Sequence, residues 1–213
     1  MDDTLILDRD AGALYDGRGA RFLPRERRWD PSTAVRVARS GERVAPAEAV
    51  RWLQRDSGHP LRVPIGVIGP RAASPVQLAA AEALGEGLAI RGYAVLCGGR
   101  EGVMEAVCRG VTARGGIAVG LTPDADAALA NPYAAIVLAT GIGEARNAII
   151  ARASFCLIAV GDSHGTLSEV ALGLHFGKTV IGLAGAAQLA GVEPAATVDD
   201  ALSRVDRLTL ALT

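Results

Sequence analysis

Val63-Pro64-Ile65-Gly66-Val67-Ile68-Gly69-Pro70, followed at once by Arg71-Ala72-Ala73-Ser74-Pro75-Val76-Gln77, is the stretch whose reading decides the fold. Residues 63–68 are a β-branched, apolar run that halts at Gly69-Pro70, the pattern of a strand ending in a tight turn. Ser74 then supplies an N-cap, Pro75 a first-turn proline, and Gln77 the third-position partner of a capping box. The helix these signals predict runs to about Arg91 and stops at Gly92, where only a glycine enters the left-handed turn freely.

Outward from this unit the same alternation repeats. Strands are expected at residues 93–97, 117–121, 134–139, 155–160 and 179–183, and helices at 101–114, 144–153, 166–176 and 199–205. The strands are rich in Val, Ile and Ala with no polar alternation, so each is expected to be buried on both faces, as in a parallel sheet covered by helices. The reading is an α/β, doubly wound, Rossmann-like domain over residues 63–213. In such sheets ligands bind beyond the carboxyl ends of the strands, so chemistry is sought at the strand-to-helix turns.

The leading residues 1–62 differ in kind. They hold 12 of the 22 basic and 10 of the 23 acidic residues, so charge density falls by more than half at the boundary. Thr4-Leu5-Ile6-Leu7 and Ala13-Leu14-Tyr15 flank a turn and predict a hairpin, and Val35-Arg36-Val37 alternates like a half-exposed strand. Residues 46–53 read as a short amphipathic helix opened by Pro46. This small mixed segment is expected to act as a structural flap or oligomer arm. The Arg-Glu-Arg-Arg cluster at residues 25–28 reads as a solvated charged stretch ahead of a phosphate site.

Composition excludes several classes. A net charge of −1 argues against a nucleic-acid or membrane-surface protein working through bulk charge. No apolar run approaches the ~18 residues of a membrane span. Acidic Asp2 and Asp3 stand where a secretory signal carries bases, and the three cysteines, Cys97, Cys108 and Cys156, read as isolated in apolar surroundings; a cytoplasmic home is expected. His59, His164 and His175 are too widely spaced for a metal site.

Three glycine-bearing turns and one charged pair carry the candidate site. In the first turn Gly69 allows close backbone approach and Arg71 can pair with an anion. In the second, Gly98-Gly99-Arg100-Glu101-Gly102-Val103-Met104, three glycines either present N–H groups to phosphate or let helix pack on strand. In the third, Gly161-Asp162-Ser163-His164-Gly165-Thr166-Leu167-Ser168-Glu169, Gly165-Thr166 opens the helix, and Thr166 either caps it or donates to phosphate. Arg146, in Gly141-Ile142-Gly143-Glu144-Ala145-Arg146-Asn147, and Glu169 lie near strand ends on neighbouring helices, where they meet as ligand-handling groups or as a structural ion pair.

These three motifs, in this order, resemble the LOG-type Rossmann superfamily, the lysine-decarboxylase-like proteins. That superfamily includes nucleoside 5′-monophosphate phosphoribohydrolases and molybdenum-cofactor carrier proteins. The resemblance spans about residues 63–185. It implies a ligand site of Gly69, Arg71, Gly98, Gly99, Gly102, Met104, Arg146, Asn147, Ser163, His164, Gly165, Thr166 and Glu169. The hydrolases share an Arg-Lys pair, whereas Arg146 is followed here by Asn147; Asn131-Pro132-Tyr133 and Thr166-Leu167-Ser168-Glu169 are similar to the carrier branch. The superfamily's Gly-Gly-x-Gly-Thr loop is replaced by Asp162-Ser163-His164-Gly165-Thr166. That change costs a residue free at positive φ and brings a carboxylate toward the phosphate, a repulsion on the order of 1 kcal/mol that His164 can offset.

The resemblance therefore implies a binding protein for a phosphorylated, nucleotide-like ligand, with the molybdenum cofactor or a nucleoside monophosphate as that ligand. The alternative is a phosphoribohydrolase in which Arg146 orients the ribose phosphate or water and Glu169 stabilises the oxocarbenium-like charge or activates water. The expected partners are a phosphorylated small molecule and further copies of the chain, as a homodimer or homotetramer packed through Ala148, Ala151, Ala153, Ala171 and Gly173, with no nucleic acid and no membrane. Lys178, the only lysine, sits in a turn on the wrong edge of the sheet, which excludes a pyridoxal-dependent lysine decarboxylase. Gly-x-x-Gly at the first turn is not a dinucleotide fingerprint, and Ser163 lacks a nucleophile-elbow frame.

Overall fold

The computed structural model describes residues 4–33 and 41–212, and the strand expected at Val35-Arg36-Val37 lies outside them. The chain forms two compact units, one of Met1–Leu61 with Ser203–Thr213 and one of Arg62–Leu202. The final helix α6 (Val198–Thr209) thus begins in the second unit and ends in the first, although the sequence boundary had placed all of residues 63–213 together.

In the first unit β1 (Leu5–Asp8) and β2 (Ala13–Asp16) form the expected hairpin. They are joined by β3 (Arg21–Leu23), β4 (Arg28–Asp30) and β5 (Glu42–Val44) in the order β4-β3-β2-β1-β5. The three added strands have three residues each, too short for a period-2 pattern to declare itself. Leu5, Leu7, Leu14 and Phe22 are buried, as are Ala49, Val50, Trp52 and Leu53 of α1 (Pro46–Arg55). The Arg-Glu-Arg-Arg cluster occupies the β3–β4 turn, where Arg27 donates to the Thr209 carbonyl at 2.8 Å.

The second unit is a seven-stranded sheet. Its strands are β6 (Ile65–Ile68), β7 (Val95–Cys97), β8 (Ala118–Thr122), β9 (Ile136–Ala139), β10 (Leu157–Val160), β11 (Val180–Leu183) and β12 (Val192–Pro194). The order is β12-β11-β10-β6-β7-β8-β9, and every neighbouring pair is parallel. Proline-bearing β12 is a strand that the sequence does not announce, since Glu193 and Pro194 break the apolar pattern. From β6 the chain steps outward to β7, β8 and β9, then returns to lay β10 against the other side of β6. Right-handed crossovers that proceed in opposite directions put their helices on opposite faces. Helices α2 (Pro75–Arg91) and α3 (Val103–Ala113) pack as one pair, and α4 (Arg146–Ala153) and α5 (His164–His175) as the other.

Helix α2 carries both halves of its capping box and ends at Gly92 with φ of 90°. Helices α2 and α3 approach closely at two glycines. A Cβ on Gly85 would fall 2.3 Å from the Val107 carbonyl oxygen, and one on Gly110 would fall 2.0 Å from that of Glu82. Arg109 spans the same contact with two 2.8 Å bonds to Glu82, which hold the Glu82 carboxyl below its ordinary value.

Burial on both faces holds for β6, β7, β10 and β11 but not for β9. Ile136 and Leu138 are 47% and 49% exposed, because the β8–β9 connection contains only a three-residue 3-10 turn and β9 lies at the sheet edge. The cysteines also depart from expectation. Cys97 and Cys108 are both buried, with sulfurs 3.4 Å apart. Their shared hydrogen bond, with burial, pushes the Cys97 thiol up; the same bond, helped by one from Asn131 and against burial, holds that of Cys108 down. No helix among the described residues is long and apolar enough to cross a membrane.

Gly110→Ala should destabilise the protein by at least about 2 kcal/mol, since backbone must shift to admit one methyl. Arg109→Ala should cost less than about 1 kcal/mol, its pair with Glu82 being partly exposed. Urea unfolding of both variants gives the comparison, and equal losses would show that the ion pair rather than the glycine contact holds these helices.

Candidate functional site

The strand order reverses between β6 and β10, so the turns leaving these two strands diverge to opposite faces and open a crevice between them. A cleft of about 610 Å³ lies there, lined by Gly69, Pro70, Arg71 and Ala72 after β6, and by Asp162 to Thr166, Ser168 and Glu169 after β10. Met104, Glu144, Arg146 and Asn147 complete its wall.

Arg146 is the centre of the wall. It is 4% exposed, and its guanidinium donates to Asn147 Oδ1, to Glu169 Oε1 at 3.3 Å and to the Gly98 carbonyl at 3.5 Å. Its Nε is buried with no hydrogen-bond partner among the described residues. Asn147 turns its amide to Ser168 Oγ at 2.9 Å, and that hydroxyl donates to the Gly165 carbonyl at 2.7 Å. One polar chain thus ties the head of α4 to the first turn of α5. Glu169 is held by burial near a pKa of about 7, against the pull of Arg146 and with a push from Glu144.

The first turn of α5 is capped by Ser163, whose Oγ accepts from the Thr166 amide at 3.1 Å and bonds Thr166 Oγ1 at 2.9 Å. The helix therefore starts two residues earlier than expected, and the Thr166 hydroxyl is occupied with the cap. The amides of His164 and Gly165 remain at the helix N-terminus, where partial positive charge gathers. Gly161, at φ of 72°, supplies the positive-φ position ahead of Asp162. Asp162 itself is exposed, so its repulsion of an anion is screened by solvent.

The structure brings Gly69, Arg71, Met104, Arg146, Asn147, Ser163, His164, Gly165, Thr166 and Glu169 to one cleft. It does not bring Gly98, Gly99 or Gly102 to the lining. Gly98 lies beneath Arg146, where a Cβ would fall 2.5 Å from Nη2. Gly99 packs on β8, with a Cβ position 2.8 Å from Thr122 Cγ2, and a Cβ on Gly102 would fall 2.3 Å from the Arg71 carbonyl oxygen. The Val103 amide donates to Pro70 at 3.1 Å, so this turn spends its backbone on the neighbouring turn. Of the two readings of the second turn, packing describes Gly99 and Gly102. Glu144 and Ser168 also line the cleft, beyond the residues that the sequence motifs single out. Ser168 and Glu169 stand three and four residues after Gly165, one turn on from the start of the helix, and that spacing is the signal that finds Ser168.

The fold and this cleft define a Rossmann-like α/β protein with a ligand-sized crevice at the switch point of its sheet. The chain belongs to the SLOG cluster4 family, whose model matches residues 62–208. It is similar to the molybdenum cofactor binding protein of Rippkaea orientalis, 34% identical with a TM-score of 0.66, covering 70% of this chain and 98% of that one. The molybdenum cofactor carrier protein of Chlamydomonas reinhardtii is 34% identical with a TM-score of 0.63, over 69% of this chain and 98% of its own. An uncharacterized protein of Archaeoglobus fulgidus is 37% identical over 139 residues, 65% of this chain and 91% of that protein.

The buried carboxyl makes stability depend on pH. Because Glu169 is raised from 4.5 to about 7 in the folded state, that state holds the extra proton between these values, and stability should fall as pH rises through the window. The loss should approach about 3 kcal/mol and be largely absent in Glu169→Gln. Urea unfolding at pH 5 and pH 7.5 tests this; parallel pH profiles for the two proteins would mean that Glu169 is ionised throughout.

Proposed function

We propose that the protein binds a phosphorylated small molecule in the β6–β10 cleft, as a molybdenum cofactor carrier-like protein. The observation that carries this reading is the buried Arg146, whose Nε has no hydrogen-bond partner among the described residues, set in the wall beside the first turn of α5. A phosphate there meets helix N–H groups and fixed positive charge together, the arrangement that favours dianions. The 34% identity to molybdenum cofactor carriers over nearly their whole length supports the cargo class. Asn147 beside Arg146 is part of the same network, bonded to both Arg146 and Ser168.

A second reading, nucleoside monophosphate hydrolysis, draws on Glu169. A carboxyl near 7 inside a cleft is poised to exchange a proton at neutral pH. Calorimetry with inorganic phosphate and assay of base release from AMP separate the two. Carriage predicts phosphate binding without free adenine, at least about tenfold weaker binding in Arg146→Ala, and a modest change in Glu169→Gln. Adenine release that falls about 10²-fold in Glu169→Gln would reverse the order of the readings.

The protein is further proposed to be a homo-oligomer, with β9 rather than the α4–α5 alanine face as its contact. Of the expected alanine face, Ala151 and Gly173 are buried in the fold itself, which leaves Ala153 and Ala171 exposed as small, separate positions. Ile136 and Leu138 on β9, Ile142 in the segment leading into α4 and Ile149 within α4 are exposed large apolar residues. Sedimentation should give a multiple of 21.8 kDa that drops to the monomer in Ile136→Asp/Leu138→Asp. A wild-type monomer at micromolar concentration would rule the assembly out.

A further inference from the structure

A second cavity, of about 490 Å³, opens at the carboxyl ends of β11 and β12. Leu183, Ala184, Ala186, Leu189, Val192 and Pro194 wall it, and its one polar lining side chain is Gln188. No charged residue lines it among the described residues, which sets it apart from the anion-favouring cleft. The amides of residues 185–188 meet no protein acceptor among the described residues. Apolar walls with unclaimed N–H donors at the edge suit a flat ring that carries acceptor atoms on its rim.

This cavity and the cleft have no lining residue in common, but they open at the ends of neighbouring strands. Strands β10 and β11 are neighbours in register, Val160 opposite Leu183, and the Gly161 amide donates to Leu183 at 3.0 Å. Their exits are therefore about 4.8 Å apart, one strand spacing. Gln77 links the two sides. Its Nε2 donates to the Ala184 carbonyl at 3.2 Å, and a Cβ on Gly161 would fall 2.4 Å from the same nitrogen. Ala184 is held at φ of 52°, a left-handed conformation uncommon for alanine. The side chain that completes the α2 capping box thus also fixes the backbone between the two spaces.

We infer that the second cavity receives the fused nitrogen heterocycle of a ligand whose phosphate occupies the cleft, so that one elongated molecule spans the carboxyl ends of β10 and β11. This rests on the phosphate reading of the cleft. The shared chemistry is a flat bicyclic ring, purine or pterin, with acceptors along its edge. Titration calorimetry of the full chain with inorganic phosphate, AMP and neopterin monophosphate tests it. At least one ring-bearing phosphate should bind about tenfold or more tightly than inorganic phosphate, and the favoured one names the ring as purine or pterin. Ala186→Trp and Ala187→Trp should each abolish that advantage while inorganic phosphate binds as before. Leu189→Glu, at a position 40% exposed, should act likewise without loading the interior. An advantage that survives these changes, or is missing from the wild type, overturns the inference while leaving the phosphate cleft intact. Failure of inorganic phosphate itself to bind overturns both.

Discussion

The return of the chain from β9 to the far side of β6 is the constraint on which the second unit depends. A parallel sheet must be covered on both faces, and crossovers of one hand do this only if their direction along the sheet reverses. At the reversal the two departing turns separate, and no backbone fills the gap. The crevice is thus a by-product of covering the sheet. What the sequence adds is the choice of groups that look into it: a buried guanidinium, a buried carboxyl and the capped start of a helix.

Burying Arg146 sets demands on its surroundings. A guanidinium removed from water needs acceptors, and Glu169, Asn147 and the Gly98 carbonyl supply them. It also needs room, which explains Gly98 without invoking a ligand: any side chain there would displace Nη2. Gly102 and Gly69 serve a related end, letting the β6 and β7 exits lock together so that the floor beneath Arg146 stays fixed. Rigid support under a partly unsatisfied cation is what pre-organises a binding wall.

The alternation of β-branched runs with capped helices made the sheet legible, because caps and glycine stops are local and strong: Ser74, Gln77 and Gly92 act as read. The cleft residues were legible as motifs at strand ends. Their division of labour was not, since a glycine that admits a ligand and one that admits a neighbouring carbonyl look alike until the neighbour is known. Thr166 illustrates the same limit, as Ser163 three residues before it takes the cap. The β9 edge escaped because an apolar strand announces burial without saying what buries it. The Cys97–Cys108 approach joins a strand to the middle of the following helix, a distance no local pattern encodes.

Helix α6 ends in the first unit, where Val205 and Leu210 are fully buried. The carrier proteins match about 70% of this chain over nearly all of their own length. The leading segment is therefore no detachable ornament: it shares one packing unit with the end of the chain. Trimming residues 1–61 would unmask the last turns of α6, and the shortened protein should aggregate where the full chain stays dispersed, as light scattering would report. Met1–Leu61 and Ser203–Thr213 thus stand or fall as one packing unit.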